Sequence, residues 1–159
     1  MSAPASHATT TVSRRAGRRI GYAVAILVNL LVYGFINTWP GWESFDFVTP
    51  AAADVVPLVN LSIGVTILVN VVYLFADGRR LKALGEMAAN LVTMIASIAV
   101  LRVFPFDFSQ YAFPWEFLTR FVLVIAVVGA AIAVLVNLYR LIRGPQRQRP
   151  TPTAPVAAG

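Results

Sequence analysis

The sequence has no cysteine and only one histidine, and these two shortages exclude several kinds of chemistry. Without cysteine the chain forms no disulfide, binds no metal through thiolates and has no thiol nucleophile. The single histidine, His7, lies in a polar N-terminal stretch, so no buried imidazole serves a haem, a zinc ion or a proton relay. We therefore expect no metal and no other cofactor.

Charged residues are also scarce, at 13% of the 159 residues, whereas soluble globular domains have about a quarter. Hydrophobic residues make up 58% of the chain, and the mean hydropathy is +0.72. A water-soluble fold of this length has too little interior to bury so many apolar side chains. The composition therefore predicts an integral membrane protein.

Lysine is also scarce: Lys82 is the only lysine among the 13 basic residues. Such a preference for arginine, together with frequent alanine and valine, is typical of a bacterial genome rich in G and C. We therefore predict a bacterial protein, located in the inner membrane.

Four apolar runs have the length of about 20 residues that a helix needs to cross the hydrocarbon core. These predicted spans cover about 18–38, 51–76, 82–103 and 115–142. Because backbone polar groups within lipid must bond to each other, we expect helices. The polar stretch 1–13 and the proline-rich stretch 144–159 are predicted to be disordered tails, which leaves 14–143 as the transmembrane domain. The predicted fold is an all-α membrane protein, a four-transmembrane-helix antiparallel bundle.

The basic residues set the predicted orientation of this bundle. If the spans alternate in direction, eleven basic residues lie on one side of the membrane: Arg14, Arg15, Arg18, Arg19, Arg79, Arg80, Lys82, Arg140, Arg143, Arg147 and Arg149. The positive-inside rule then predicts that both termini are cytoplasmic. Basic residues so close to the spans suit anionic lipid headgroups, and we expect no nucleic-acid partner.

Proline and glycine indicate where the spans begin, bend and turn. Thr49 and Pro50 are predicted to be the N-cap and first residue of span two. Pro57 is predicted to kink that span, because proline removes a backbone hydrogen bond inside a helix. The Asp77-Gly78 pair predicts a tight turn, so that spans two and three form a hairpin.

Every span contains asparagine, and most of these residues lie on polar stripes at helical spacing. The simpler interpretation is that the stripes are seams, where Asn, Ser and Thr bond across helices for about 1 kcal/mol each. Three pairs of small residues have the spacing that brings helices close together: Gly21 and Ala25, Gly85 and Ala89, and Gly129 and Ala133. The alternative is a polar cavity formed by one candidate cluster: Asn70, Glu86, Asn90 and Asn137.

The triplet Phe-Asp-Phe occurs twice, at 45–47 and at 106–108, each time shortly before a proline and an apolar run. With Trp39, Trp42 and Trp115 these aromatic residues are typical of a membrane interface. We predict a structural cap on the non-cytoplasmic side, held by ion pairs among five residues: Asp46, Asp107, Arg102, Arg120 and Glu116. The alternative is a surface that binds a quinone, a lipid or a partner protein.

The sequence does not favour an enzyme, because it has no nucleophile beside a base and no paired carboxylates within a span. Two classes of function remain. A structural or accessory subunit, or a self-associating helical bundle, is favoured by the seam residues and the aromatic cap. A small transporter or channel is the alternative, because Glu86 lies among asparagines and the repeated Phe-Asp-Phe allows an internal duplication.

Overall fold

The computed structural model describes residues 6–76 and 78–143, with side chains from residue 16 onwards except at Arg79. Within these residues the chain is helical and has no strand. The four long helices are α1 (Ser6–Asn37), α2 (Val56–Phe75), α3 (Arg79–Val103) and α4 (Trp115–Arg143). Two short 3-10 helices, Trp42–Ser44 and Pro50–Asp54, lie between α1 and α2. The C-terminal tail predicted at 144–159 lies outside the described residues.

All four long helices are long and apolar enough to cross a membrane. The candidate spans are Ala16–Asn37, Val56–Phe75, Arg80–Val103 and Trp115–Arg143, with mean hydropathies between 1.7 and 2.9. The prediction of an all-helical protein with four spans is confirmed, and the four spans indicate a multi-pass membrane protein.

The N-terminal end of α1 differs from the predicted boundary. The helix begins at Ser6, so residues 6–13 are helical where the sequence predicted a disordered tail. No proline or glycine interrupts the chain between Ser6 and Ala16, and a helix that is already nucleated elongates easily through such residues. Residues 1–5 of the predicted tail lie outside the described residues.

The start of α2 corrects the predicted kink. Pro50 follows the N-cap residue Thr49, as predicted, but it begins the separate 3-10 helix Pro50–Asp54. The α-helix itself begins only at Val56, which places Pro57 in its first turn. A proline there removes an N–H group that has no partner within the helix anyway, so Pro57 starts α2 and does not bend it.

Helices that are adjacent in the sequence pack against each other: α1 on α2, α2 on α3 and, most extensively, α3 on α4. No comparable packing joins α1 to α4 within the described residues. Small side chains such as Ala83, Ala96 and Ala130 are buried where helices meet, whereas large apolar ones such as Leu31 and Leu135 are about two-thirds exposed, at 64% and 65%. This distribution suits helices whose outer faces contact lipid.

The two Phe-Asp-Phe segments meet at one end of the helices, where the α1–α2 loop pairs with the α3–α4 loop. Val48 and Phe106 form an isolated antiparallel bridge. The Thr49 amide donates to the Pro105 carbonyl at 3.0 Å, and the Asp107 amide donates to the Phe47 carbonyl at 2.9 Å. These backbone bonds tie together loops that are far apart in the sequence.

Candidate functional site

Aromatic rings join the two loops into one layer, which we call the aromatic lid: Phe35, Phe45, Phe47, Phe104, Phe106, Phe108 and Tyr111. Phe47 and Phe108, one from each triplet, stack with their ring centroids 5.7 Å apart. Phe106 stacks on Phe108 at 5.9 Å, and Phe45 connects Phe47 to Phe35 of α1 through centroid distances of 5.5 Å. Ring pairs at these distances contribute about 0.5–1.5 kcal/mol each beyond their burial.

Arg120 connects α4 to the aromatic lid. Its guanidinium carbon lies 3.7 Å from the centre of the Phe104 ring, within the range of a cation–π contact. Its Nε also donates to Glu116 Oε1 at 3.1 Å, so the i,i+4 ion pair expected from the sequence is present. Phe104 itself has φ 43°, a left-handed conformation that ends α3 and turns the chain into the loop.

The predicted ion pairs between the two aspartates and the arginines are not found among the described residues. Asp107 Oδ1 instead accepts a hydrogen bond from the Ser109 amide at 2.9 Å. This amide, with help from the Ser109 hydroxyl, lowers the pKa of Asp107 below its usual value. Arg120 reaches Glu116, one turn away on its own helix. Asp46 and Arg102 form no ion pair with the described part of the chain.

Two open cavities, grooves in the surface rather than enclosed spaces, lie beside the aromatic lid at the start of α4, and most of the side chains that line the larger one are exposed. The larger one, of about 610 Å³, is lined by residues of the α3–α4 loop and of the first turns of α4, Arg120 among them. The smaller one, of about 290 Å³, continues along α4 past Leu118 and Val122. Phe106 and Trp115 line both cavities, so the two volumes share a wall.

At the far end of α2 a second aromatic group, which we call the tyrosine cluster, joins three helices: Tyr22, Tyr73, Lys82 and Gly85. The rings of Tyr22 and Tyr73 lie 5.4 Å apart and connect α1 to α2. The Tyr73 hydroxyl donates to the Lys82 carbonyl of α3 at 2.7 Å, and the Lys82 ammonium lies 5.2 Å from the centre of the Tyr22 ring. Tyr73 is almost completely buried, at 6% exposure.

Gly85 makes this approach of α2 to α3 possible. A Cβ atom at this position would collide with the Tyr73 hydroxyl and would lie 2.9 Å from Val69 Cγ1. No neighbouring atom lies within 4 Å of the equivalent position at Gly21 or Gly129. Of the three predicted small-residue pairs, only the one at Gly85 therefore marks a contact that requires glycine.

Within the candidate polar cluster, the asparagines on α2 and α3 bond to their own helices. Asn70 donates to the Thr66 carbonyl at 2.8 Å, and Asn90 donates to the Glu86 carbonyl at 2.6 Å. Asn29 on α1 bonds in the same way to the carbonyl four residues before it. These side-chain amides occupy backbone acceptors of their own helix, so they provide less cohesion between helices than seam residues would.

Asn137 differs from the other asparagines. It is buried on α4 at 3% exposure, and its Oδ1 atom has no hydrogen-bond donor among the described residues. Glu86 is half-buried on α3. The described hydrogen bonds link only Glu86 and Asn90 within the four-residue cluster, and that bond uses the Glu86 backbone.

One interhelical polar contact was missed in the sequence. Asn37 at the end of α1 and Asn60 in the second turn of α2 exchange two amide bonds of 2.9 and 2.7 Å. Helical periodicity relates residues of one helix, so it does not indicate that Asn37 of α1 reaches Asn60 of α2. The signal that could have identified it is an asparagine in the last turn of α1 and another in the second turn of α2, on the two sides of one loop.

No group of three or more His, Asp or Glu side chains is placed to hold a metal ion in the part of the chain that the structure describes. The chain matches no protein-family model, no curated protein and no solved structure.

Proposed function

We propose that this chain is a structural or accessory membrane protein, which associates with a membrane-protein partner or with copies of itself. The observation that carries the proposal is the open row of helices: among the described residues, α1 packs extensively against α2 alone and α4 against α3 alone. A second helical protein, or a second copy, would complete the packing along these two helices. Asn29, Asn70 and Asn90 donate to their own helices, which disfavours the alternative of a conduction path lined by their amides.

The proposed topology is an antiparallel bundle in a bacterial inner membrane, with both termini in the cytoplasm. It is supported by the pairing of the α1–α2 and α3–α4 loops, since alternating spans put these two loops on the same side. The clustering of arginine near the other helix ends also supports it. At this cytoplasmic face the basic residues would contact anionic lipid headgroups.

Fusions to the C-terminus test this topology. Green fluorescent protein at a cytoplasmic C-terminus should fluoresce. Alkaline phosphatase at the same position should be inactive, because the phosphatase becomes active only after export. An active phosphatase with a dark fluorescent protein would contradict the proposed orientation.

Cross-linking in the source membrane tests the association. A photoreactive amino acid at Leu31 of α1 or at Leu135 of α4 should give a discrete adduct, because both side chains are exposed, at 64% and 65%. The same group at the buried Ala96 of α3 is the matched control and should give no intermolecular adduct. Native mass spectrometry after mild extraction then identifies the adduct as a second copy or another protein. Recovery of lipid adducts alone from both exposed positions would contradict the proposal.

A small transporter or channel is the second candidate, and one observation favours it. Asn137 Oδ1 has no hydrogen-bond donor in the described part of the chain, and it lies inside a span that packs against the helix of Glu86. If these residues serve a conduction path, the purified protein in liposomes should carry a proton or ion flux that Glu86→Gln abolishes. The absence of flux from the wild-type protein in a screen of protons and common ions would exclude this candidate.

A further inference from the structure

We propose that the two cavities beside the aromatic lid form one binding site for a zwitterionic phospholipid, with its amine in the larger cavity and an acyl chain in the smaller. The cavities share Phe106 and Trp115, so one molecule can occupy both. This site is independent of the proposed association along α1 and α4.

The lining of the larger cavity suits a cationic amine. Phe108, Tyr111 and Phe113 are among the aromatic side chains that surround it, and aromatic faces attract ammonium groups. Two carboxylates, Asp107 and Glu116, lie in the same wall, and only one cation, Arg120, accompanies them. The formal charge of this wall is therefore −1, which favours an ammonium headgroup over an anionic one.

Arg120 is positioned for the phosphate of the same headgroup. Its Nε is used by Glu116 and its flat face by Phe104, so both existing contacts fix the orientation of the guanidinium. The described hydrogen bonds leave its two Nη groups to bind phosphate oxygens, for which the planar guanidinium is well suited. A phosphate next to an ammonium group is the pattern of a zwitterionic phospholipid headgroup.

The smaller cavity provides the apolar part of the site. It extends from Phe106 and Trp115 along α4, past Leu118, Val122 and Leu123, and its lining is predominantly apolar. These residues lie within the candidate span Trp115–Arg143, where a lipid acyl chain would lie in the bilayer. The polar part of the site thus lies at the end of the span and the apolar part within it, as the headgroup and the acyl chain of a phospholipid do.

Native mass spectrometry of the delipidated protein in mild detergent, with dioleoyl phosphatidylcholine and dioleoyl phosphatidylglycerol at equal concentrations, tests the site. We expect preferential retention of one phosphatidylcholine, because phosphatidylglycerol has the phosphate without the amine. The double variant Asp107→Asn, Glu116→Gln should lower the ratio of phosphatidylcholine to phosphatidylglycerol by about two- to fivefold. Arg120→Gln should weaken retention of both lipids, which share the phosphate.

Two matched controls lie at the other end of the helices. Arg140→Gln removes an exposed arginine from the same helix, and Phe75→Leu removes an aromatic ring that is 85% exposed. Both should leave the ratio unchanged. Phosphatidylethanolamine as a third lipid separates a preference for any amine from a preference for the quaternary ammonium of choline.

A second measurement leaves every residue that lines the two cavities unchanged. With Trp39→Phe and Trp42→Phe, Trp115 is the only tryptophan in the chain. Phosphatidylcholine with brominated acyl chains should quench its fluorescence in a saturable way, and unbrominated phosphatidylcholine should reverse the quenching. Equal retention of the two lipid classes, a preference for phosphatidylglycerol, or quenching that unbrominated lipid does not reverse would overturn the proposal.

Discussion

The aromatic lid and the tyrosine cluster lie at opposite ends of α2 and hold helices together in different ways. In the lid the contacts are made by loops, through two backbone hydrogen bonds and a series of stacked phenylalanine rings. In the tyrosine cluster the contacts are made by the helices themselves, through one buried hydroxyl that reaches the backbone of α3 beside a glycine. The lid therefore distributes its cohesion over many weak contacts, whereas the cluster concentrates its contacts around the close approach of Tyr73 to Gly85.

Aromatic side chains and backbone groups carry most of the described contacts between elements in both regions. Asn29, Asn70 and Asn90 bond to their own helices, whereas Asn37 and Asn60 also bond to each other across α1 and α2. An asparagine amide that donates to its own helix has one N–H fewer for a bond to a neighbouring helix. Substitutions in the two regions should therefore have different costs.

The largest effect is expected at Gly85 in the tyrosine cluster. Gly85→Ala should lower stability by about 1–3 kcal/mol, because the new Cβ collides with Tyr73 and with Val69. Thermal unfolding in mild detergent, followed by circular dichroism, measures the loss. Gly129→Ala is the matched control, because nothing lies within 4 Å of its Cβ position.

Tyr73→Phe tests the cause of this effect. Removing the hydroxyl relieves part of the collision, so Gly85→Ala should cost less in the Tyr73→Phe background than in the wild type. Strictly additive losses would show that the close fit at Gly85 does not depend on the hydroxyl.

A smaller effect is expected in the aromatic lid. Phe47→Leu should cost about 1–2 kcal/mol, because it removes the ring contacts with both Phe45 and Phe108 while keeping an apolar side chain. Phe75→Leu is the control, since Phe75 is exposed and contacts no other described ring. Equal melting shifts for the two variants would contradict the stacking of the lid.

A third effect separates an asparagine that bonds to another helix from one that bonds to its own helix. Asn60→Leu should lower the unfolding free energy by about 0.6–1 kcal/mol, because it breaks both amide bonds between α1 and α2. Asn90→Leu should have a smaller effect, because its amide bonds only to its own helix. A greater loss at Asn90 than at Asn60 would restore the interpretation of the stripes as hydrogen-bonded seams.

The smallest effect is a pH dependence of the lid. The Ser109 amide and hydroxyl lower the pKa of Asp107 in the folded protein. Their stabilisation is therefore fully present above the pKa of an unfolded aspartate, about 4, and is lost as the pH falls through the lower folded-state pKa. Carboxyl NMR should show Asp107 titrating below an ordinary aspartate, and Ser109→Ala should raise its pKa. An unchanged midpoint in Ser109→Ala would exclude the hydroxyl as a contributor.

The spans were predictable from the sequence, because long apolar runs leave a helix as the only likely form within lipid. The meeting of Phe45-Asp46-Phe47 with Phe106-Asp107-Phe108 was partly predictable, since alternating spans place both loops on one side. The side-chain partners were only partly predictable: the i,i+4 spacing of Glu116 and Arg120 indicates their ion pair but does not exclude Asp107 as a competing partner. Whether Arg120 pairs with Asp107 or with Glu116, and whether Asn90 bonds to a neighbour or to its own helix, depends on side-chain rotations that periodicity does not encode.

The central claim is that the two Phe-Asp-Phe loops form one layer at one end of the helices. The chain has no cysteine, so a variant with Val48→Cys and Phe106→Cys contains only two thiols. These positions form the antiparallel bridge between flanking hydrogen bonds, where opposite Cα atoms lie about 4.5 Å apart, close enough for a disulfide. Mild oxidation in the native membrane should give nearly complete intramolecular cross-linking, measured by loss of thiol labelling. The control pair Val48→Cys and Phe75→Cys, at opposite ends of α2, should remain reduced. Free thiols in the Val48–Phe106 variant, or equal cross-linking in both pairs, would contradict the claim.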